Sequence, residues 1–258
     1  MTVAWILLLL GKVHSLSSGS TSTSVRLLVL DTLVPGQRLR LDTESPPRSF
    51  EDFCRNEQDP IVVVGREGLS LHARGVEVVL EESNSSSSTT SGCSTPVVTL
   101  ATTGRIAEIY DEGIDEGSRW NGRKGRVRWL TNLKEDDLAL SVDKEPTEVT
   151  TEKIRALCEN IGDLASEWEE TVKVTGRERF PGQLRGIVHD LGCSIPDAPN
   201  ARALWVAALI NPLPALGVAL EIRPAVLTAR TTSRRLLLAQ QGLRDSIDRM
   251  RRSPGSCF

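Results

Sequence analysis

Histidine and cysteine are scarce in this chain, with three of the former and five of the latter among 258 residues. The cysteines, Cys54, Cys93, Cys158, Cys193 and Cys257, are widely spread, and no two stand at the C-x-x-C spacing that structural zinc sites favour, so a metal centre of that kind is unsupported. An odd count in so sparse a pattern argues against a disulfide scaffold, and buried thiols are the expected state. Charge of one sign is lacking too: 31 basic residues face 34 acidic ones. No global field is available to hold DNA or RNA, which requires clustered lysine and arginine to displace counterions. The apolar fraction of 39% is low, and part of it lies in the first ten residues, so a modest core is expected.

Catalytic signatures are missing as well. The one Gly-Lys pair, Gly11-Lys12, lies near the amino terminus and has none of the glycine-rich frame that cradles nucleotide phosphates. No G-x-S-x-G elbow and no H-E-x-x-H helix occurs. A Cys/His nucleophile pair is conceivable at His189 and Cys193, but the surrounding G-I-V-H-D-L-G-C reads more simply as a helix or turn with Ile187, Val188 and Leu191 packed inside. The carboxylate pairs Glu81-Glu82, Asp136-Asp137 and Glu169-Glu170 are adjacent in sequence, so their side chains diverge and read as solvated charge. No nucleophile, base and oxyanion site come together; no enzyme activity and no cofactor is expected.

What is present begins with an address. The apolar run from Val3 to Leu10 ends at Gly11-Lys12, too short to span a bilayer as a helix, and fits the core of a signal peptide with small residues around Ser15. A hydroxyl-rich, acid-free stretch follows, so residues 1–24 are expected to be a leader into the secretory route. They resemble the two-part plastid-targeting leaders of algae with complex plastids; a secreted or endomembrane-lumen protein is the other destination. No stable membrane span is expected once the leader is removed.

From residue 25 to about 145 short apolar runs are cut by turn residues, which predicts strands starting at Val25, Arg38, Ile61, Gly75, Thr103 and Arg126. In Arg126–Leu130 the arginines alternate with Val127 and Trp129, as in a sheet wet on one face. Asn84–Gly92, N-S-S-S-S-T-T-S-G, reads as a flexible excursion between strands, and Asn84 heads a glycosylation triplet. A second, glycine-rich excursion from Asp111 reads as an exposed hairpin tip. After Pro146 the period changes. Ile154, Leu157, Cys158, Ile161, Leu164, Ala165, Trp168 and Val172 form one helical stripe, a second helix runs from about Ala201 to Ile210 before Asn211-Pro212, and a third from Thr232 to Met250. The basic last turn, with Arg249, Arg251 and Arg252, suits the negative end of that helix. An α+β fold follows, with a β-rich part at 25–145 and a helical part at 146–258.

Three stretches in chain order carry a resemblance. V-R-L-L-V-L-D-T-L-V-P-G-Q-R-L-R-L from Val25, T-G-R-I-A-E-I from Thr103 followed by R-V-R-W-L, and A-L-W-V-A-A-L-I-N-P-L-P-A-L-G-V-A-L-E-I-R-P-A-V-L from Ala203 resemble the amino-terminal substrate-binding domain of the Lon protease family. The likeness spans about residues 25–250. It implies a pseudouridine-synthase-associated (PUA-like) pseudo-barrel followed by a helical subdomain, standing alone without the ATPase and Ser-Lys protease modules. In full-length Lon that domain helps capture unfolded substrates, so the implied role is non-catalytic polypeptide binding, as a substrate-capture or adaptor protein in protein quality control. The implied partners are unfolded or partly folded polypeptides, with a protease or other protein as a further partner. Leu33, Val34, Leu213 and Leu216, apolar residues in turns beside prolines, are the candidate peptide contacts. The alternatives are a scaffold docking on one folded partner and an RNA-binding module using Arg123, Lys124, Arg126 and Arg128 with Trp129 as a stacking platform.

Overall fold

A computed structural model describes residues 22–30, 32–42, 59–67, 70–81, 97–113, 122–130, 147–178, 180–192, 194–210 and 221–252. Six strands, β1 (Thr23–Val29), β2 (Arg38–Asp42), β3 (Ile61–Glu67), β4 (Ser70–Glu81), β5 (Val97–Gly113) and β6 (Gly122–Leu130), precede five helices, α1 (Thr147–Thr175), α2 (Gln183–Asp190), α3 (Pro199–Ile210), α4 (Arg223–Thr228) and α5 (Thr232–Arg252). The fold is α+β, as expected. Every strand anticipated from apolar runs is present. The Asn84–Gly92 excursion, with its glycosylation triplet, and residues 1–21 of the leader lie outside the described residues.

Five strands close on themselves. β1 runs parallel to β3, with Arg26 opposite Ile61, and antiparallel to β6, with Thr23 opposite Val127. β6 returns to β5, β5 to β4 and β4 to β3, so each of these strands is paired along both edges. Closure of this kind removes exposed edges from a sheet. Alternation then sends side chains to two faces: Val25 and Leu27 join Val62, Val64, Ala107 and Val127, while Leu28 joins Ile61, Val63, Val78 and Leu100. β1 and β3 are therefore buried on both sides. β6 keeps the expected wet face, with Lys124 and Arg126 exposed and Val127 buried.

β5 starts at Val97, earlier than the expected start at Thr103, and serves two neighbours along one edge. Its first part pairs with β2 and its last part with β6. Between the two, β5 sets Thr103, Gly104 and Arg105 opposite the single residue Glu77 of β4. This bulge centres on Gly104, whose φ of 87° is open to glycine and strained for other residues. Glu77, on β4 opposite the bulge, is buried and accepts hydrogen bonds from Thr103 Oγ1 at 2.5 Å and Arg105 Nη1 at 2.9 Å. The carboxylate thus holds the bend that redirects β5 from β2 to β6.

The helices pack around α3 and α5. α3 is buried at each residue from Ala203 to Ile210, as a helix apolar all round must be, and it stops where Asn211-Pro212 was expected to stop it. α5 turns Leu236, Ala239, Leu243, Ile247 and Met250 inward against Cys158, Ile161, Ala165, Trp168 and Val172 of α1. The sheet contributes Val76, Ile106 and Leu130 to the same core. A buried arginine strengthens the joint: Arg74 of β4 donates from Nη1 to the carbonyls of Leu227, at 3.1 Å, and Ala229, at 3.4 Å, at the end of α4. Cationic donors suit helix-terminal carbonyls, which lack partners within the helix.

Candidate functional site

The apolar turn after β1 does not present a surface. Pro35-Gly36 reverses the chain, with Gly36 at φ 91°, and Gln37 closes the turn by accepting the Val34 N–H at its side-chain oxygen. The turn folds inward: Leu33 is 3% exposed and packs with Leu28, Ile61 and Val63, while Val34 is fully buried in the core shared with the helices. The expectation of exposed contacts is corrected for these two residues, because the crossover from β1 to β2 passes over the sheet and its apolar side chains cover the core. Leu213 and Leu216 lie outside the described residues.

The basic cluster on β6 faces acid. Arg128 stands opposite Glu108 and forms an ion pair with it, and Arg126 is in register with Asp111. Trp129 already has a cation on its ring, with the Arg105 guanidinium 3.9 Å from the ring centroid. A base would have to displace Arg105, which Glu77 also holds. This arrangement takes one face of the ring on which an RNA-binding reading rested.

Nucleophile chemistry gains nothing from the geometry. Burial pushes the Cys158 thiol up, opposed in part by Arg202. His189 is exposed, with Nδ1 3.9 Å from Asp190, and Cys193 lies outside the described residues. Among the described residues no group of three or more histidine, cysteine, aspartate or glutamate side chains is placed to hold a metal ion, and no helix is long and apolar enough to cross a membrane.

One feature of the sheet is open. β2 hangs on β5 outside the closed circuit, and among the described residues it is paired on one side only. The Thr102 N–H donates to the Gln37 carbonyl at 3.2 Å, which fixes the phase of the ladder. Antiparallel pairs alternate between residues that exchange hydrogen bonds and residues whose main-chain groups point away. Leu39 and Leu41, in step with Gln37, therefore bond to β5, while the N–H and C=O groups of Arg38, Arg40 and Asp42 face the open edge. Arg38 does not screen that edge. Its guanidinium reaches back across β5 to Glu81 of β4, at 3.1 Å, and to Asp190, at 3.5 Å. Sequence reasoning found β2 but not its open side, since which strand is left at an edge depends on the closure of the others.

No protein-family model matches the sequence, and no curated protein does. Solved structures do. The N-terminal domain of the Mycobacterium avium complex Lon protease superposes with a TM-score of 0.52 at 14% identity, covering 86% of this chain and 99% of that one. The Lon N-terminal domain protein from Xanthomonas campestris is 19% identical over 83% of this chain and 95% of its own, with a TM-score of 0.44. With its closed strand circuit followed by packed helices, the chain has the fold of a Lon protease N-terminal domain.

Proposed function

We propose that the chain is a non-catalytic polypeptide-binding protein, acting in substrate capture or as an adaptor in protein quality control. The observation that carries this reading is the shared fold with a Lon protease N-terminal domain over nearly all of that domain. The main-chain groups left open on β2 give it a physical basis, since they suit any extended chain regardless of its side chains. The signal-type leader read at residues 1–24, whose last two residues, Thr23 and Ser24, belong to β1, takes the protein into the secretory route, with a plastid as destination. Comparing carboxyl-terminal fluorescent fusions with and without Met1–Ser22, which leaves β1 whole, tests this; diffuse cytosolic signal from both would sink it.

The full chain is expected to raise the anisotropy of a labelled protein held unfolded by reduction and carboxymethylation, without nucleotide, and to leave the native form of that protein unbound. Dissociation constants of about 10 µM or tighter are the expected range for such transient capture. Equal binding to native and unfolded forms, or none, would overturn the reading. Docking on a folded partner is the second reading, favoured by the corner between α1 and α2, where Val174 is 75% and Phe180 59% exposed.

A further inference from the structure

We propose that the edge of β2 left open among the described residues captures an extended polypeptide segment by strand addition, main chain to main chain, through Arg38, Arg40 and Asp42. The proposal rests on the polypeptide-binding reading and names the site and the class of segment.

The edge presents donor and acceptor together at every second residue, a repeat of about 6.8 Å along the strand. An extended polypeptide carries the complementary pair at the same step. Nucleic acid and lipid do not, and a folded protein already uses most of its main-chain groups internally. Natural edges are blunted by charges laid over them, but here Arg38 is drawn back over the sheet by Glu81 and Asp190. Leu80 of β4, Leu100 of β5 and Leu39 of β2 stand opposite one another in a single cross-strand row, all within one apolar cluster. The row ends at the open edge. A residue of the added strand opposite Leu39 continues it, so the segment taken is one with apolar residues at alternate positions. Such segments are buried in folded proteins and exposed in unfolded ones, which is the selectivity the function requires.

Proline at position 40 removes an edge-facing N–H and leaves the hydrogen bonds of Leu39 and Leu41 to β5 in place. The test uses the full chain and a fluorescein-labelled peptide of alternating valine and serine flanked by lysines. Arg40→Pro is expected to weaken binding about tenfold or more, a loss of one or more main-chain hydrogen bonds, while Arg40→Ala stays within about twofold. The same peptide N-methylated at alternate amides is expected to lose binding to the parent chain by a similar factor. Parent-like binding by Arg40→Pro, or equal binding of the methylated peptide, overturns strand addition; if the carboxymethylated protein is still held by Arg40→Pro, polypeptide capture survives by another surface. A parent chain that binds neither probe defeats both. Should Arg40→Pro lose its circular-dichroism spectrum, amide exchange on the parent decides: slowing at Arg38, Arg40 and Asp42 on peptide addition supports the site, and unchanged exchange there overturns it.

Discussion

Replacing Gly75 with alanine is expected to lower the melting temperature by about 6–12 °C, the equivalent of a loss of about 3 kcal/mol in a domain of this size. Gly75 lies on β4 between Val64 of β3 and Ala107 of β5. A Cβ built there falls 2.6 Å from the Val63 carbonyl oxygen and 2.6 Å from Val62 Cγ1. The carbonyl cannot rotate aside, because it belongs to the backbone of β3, a strand paired on both edges. Relief requires the β3–β4 ladder to open inside a closed circuit, so the strain spreads to neighbouring pairs. Gly65 is crowded by side chains and not by backbone: its Cβ would fall 2.0 Å from the Thr32 hydroxyl and 2.6 Å from the His72 ring, which can turn, and 3.1 Å from Thr32 Cβ, which cannot. Gly186→Ala is the control, since nothing lies within 4 Å of a Cβ there and alanine favours a helix. Thermal unfolding followed by circular dichroism reads all three; a Gly75→Ala protein melting within a degree or two of the parent would show that the strands are not packed this closely.

The second large effect concerns Trp168 of α1, fully buried against α5, whose indole N–H donates to Ser246 Oγ at 2.8 Å. Trp168→Ala is expected to cost about 3–5 kcal/mol, the range for removing a large aromatic side chain from a core. Ser246→Ala removes few atoms but strands the indole N–H in an apolar interior, at a cost of about 1–3 kcal/mol. Trp168→Phe has no N–H to strand, so Ser246→Ala in that background should cost about 1 kcal/mol less than in the parent. A urea-unfolding cycle over the four proteins measures that coupling. Strict additivity would mean that the hydrogen bond contributes nothing to holding the two long helices together.

These two sites mark what could and could not be read from residues in a row. Trp168 was legible as a core residue because it falls on the stripe Ile161, Leu164, Ala165, Trp168, Val172, where period alone fixes the inward face. Its partner Ser246 was not, because no local pattern pairs a serine with a tryptophan on another helix. The strands at Val25 and Ile61 were legible for a similar reason, as short aliphatic runs bounded by turn residues, and the helix at Ala201 was bounded by Pro199 and by Asn211-Pro212. The extent of β5 was missed: Gly104 looks like the entrance to a strand, whereas it is a bulge in the middle of one, stabilised by Glu77 from the neighbouring strand. α4 was missed because six residues do not display a helical period. Leu33 and Val34 looked exposed because they sit beside Pro35-Gly36, yet a turn can fold its apolar residues over a core as readily as away from it. The open edge of β2 depends on where five other strands close, so no local segment of sequence contains it.

Closure of the circuit also governs how the chain can be made. Among the described strands β1 is the first to leave the ribosome, and one of its two partners, β6, is the last to be synthesised, with Thr23 waiting for Val127. Until then Val25, Leu27 and Leu28 have at most one neighbouring strand and present apolar surface to other nascent chains. Arg74 waits longer still, since the carbonyls that receive it belong to Leu227 and Ala229. Contacts so distant along the chain make for slow folding. A protein whose first strand is completed by its sixth assembles late and as a unit.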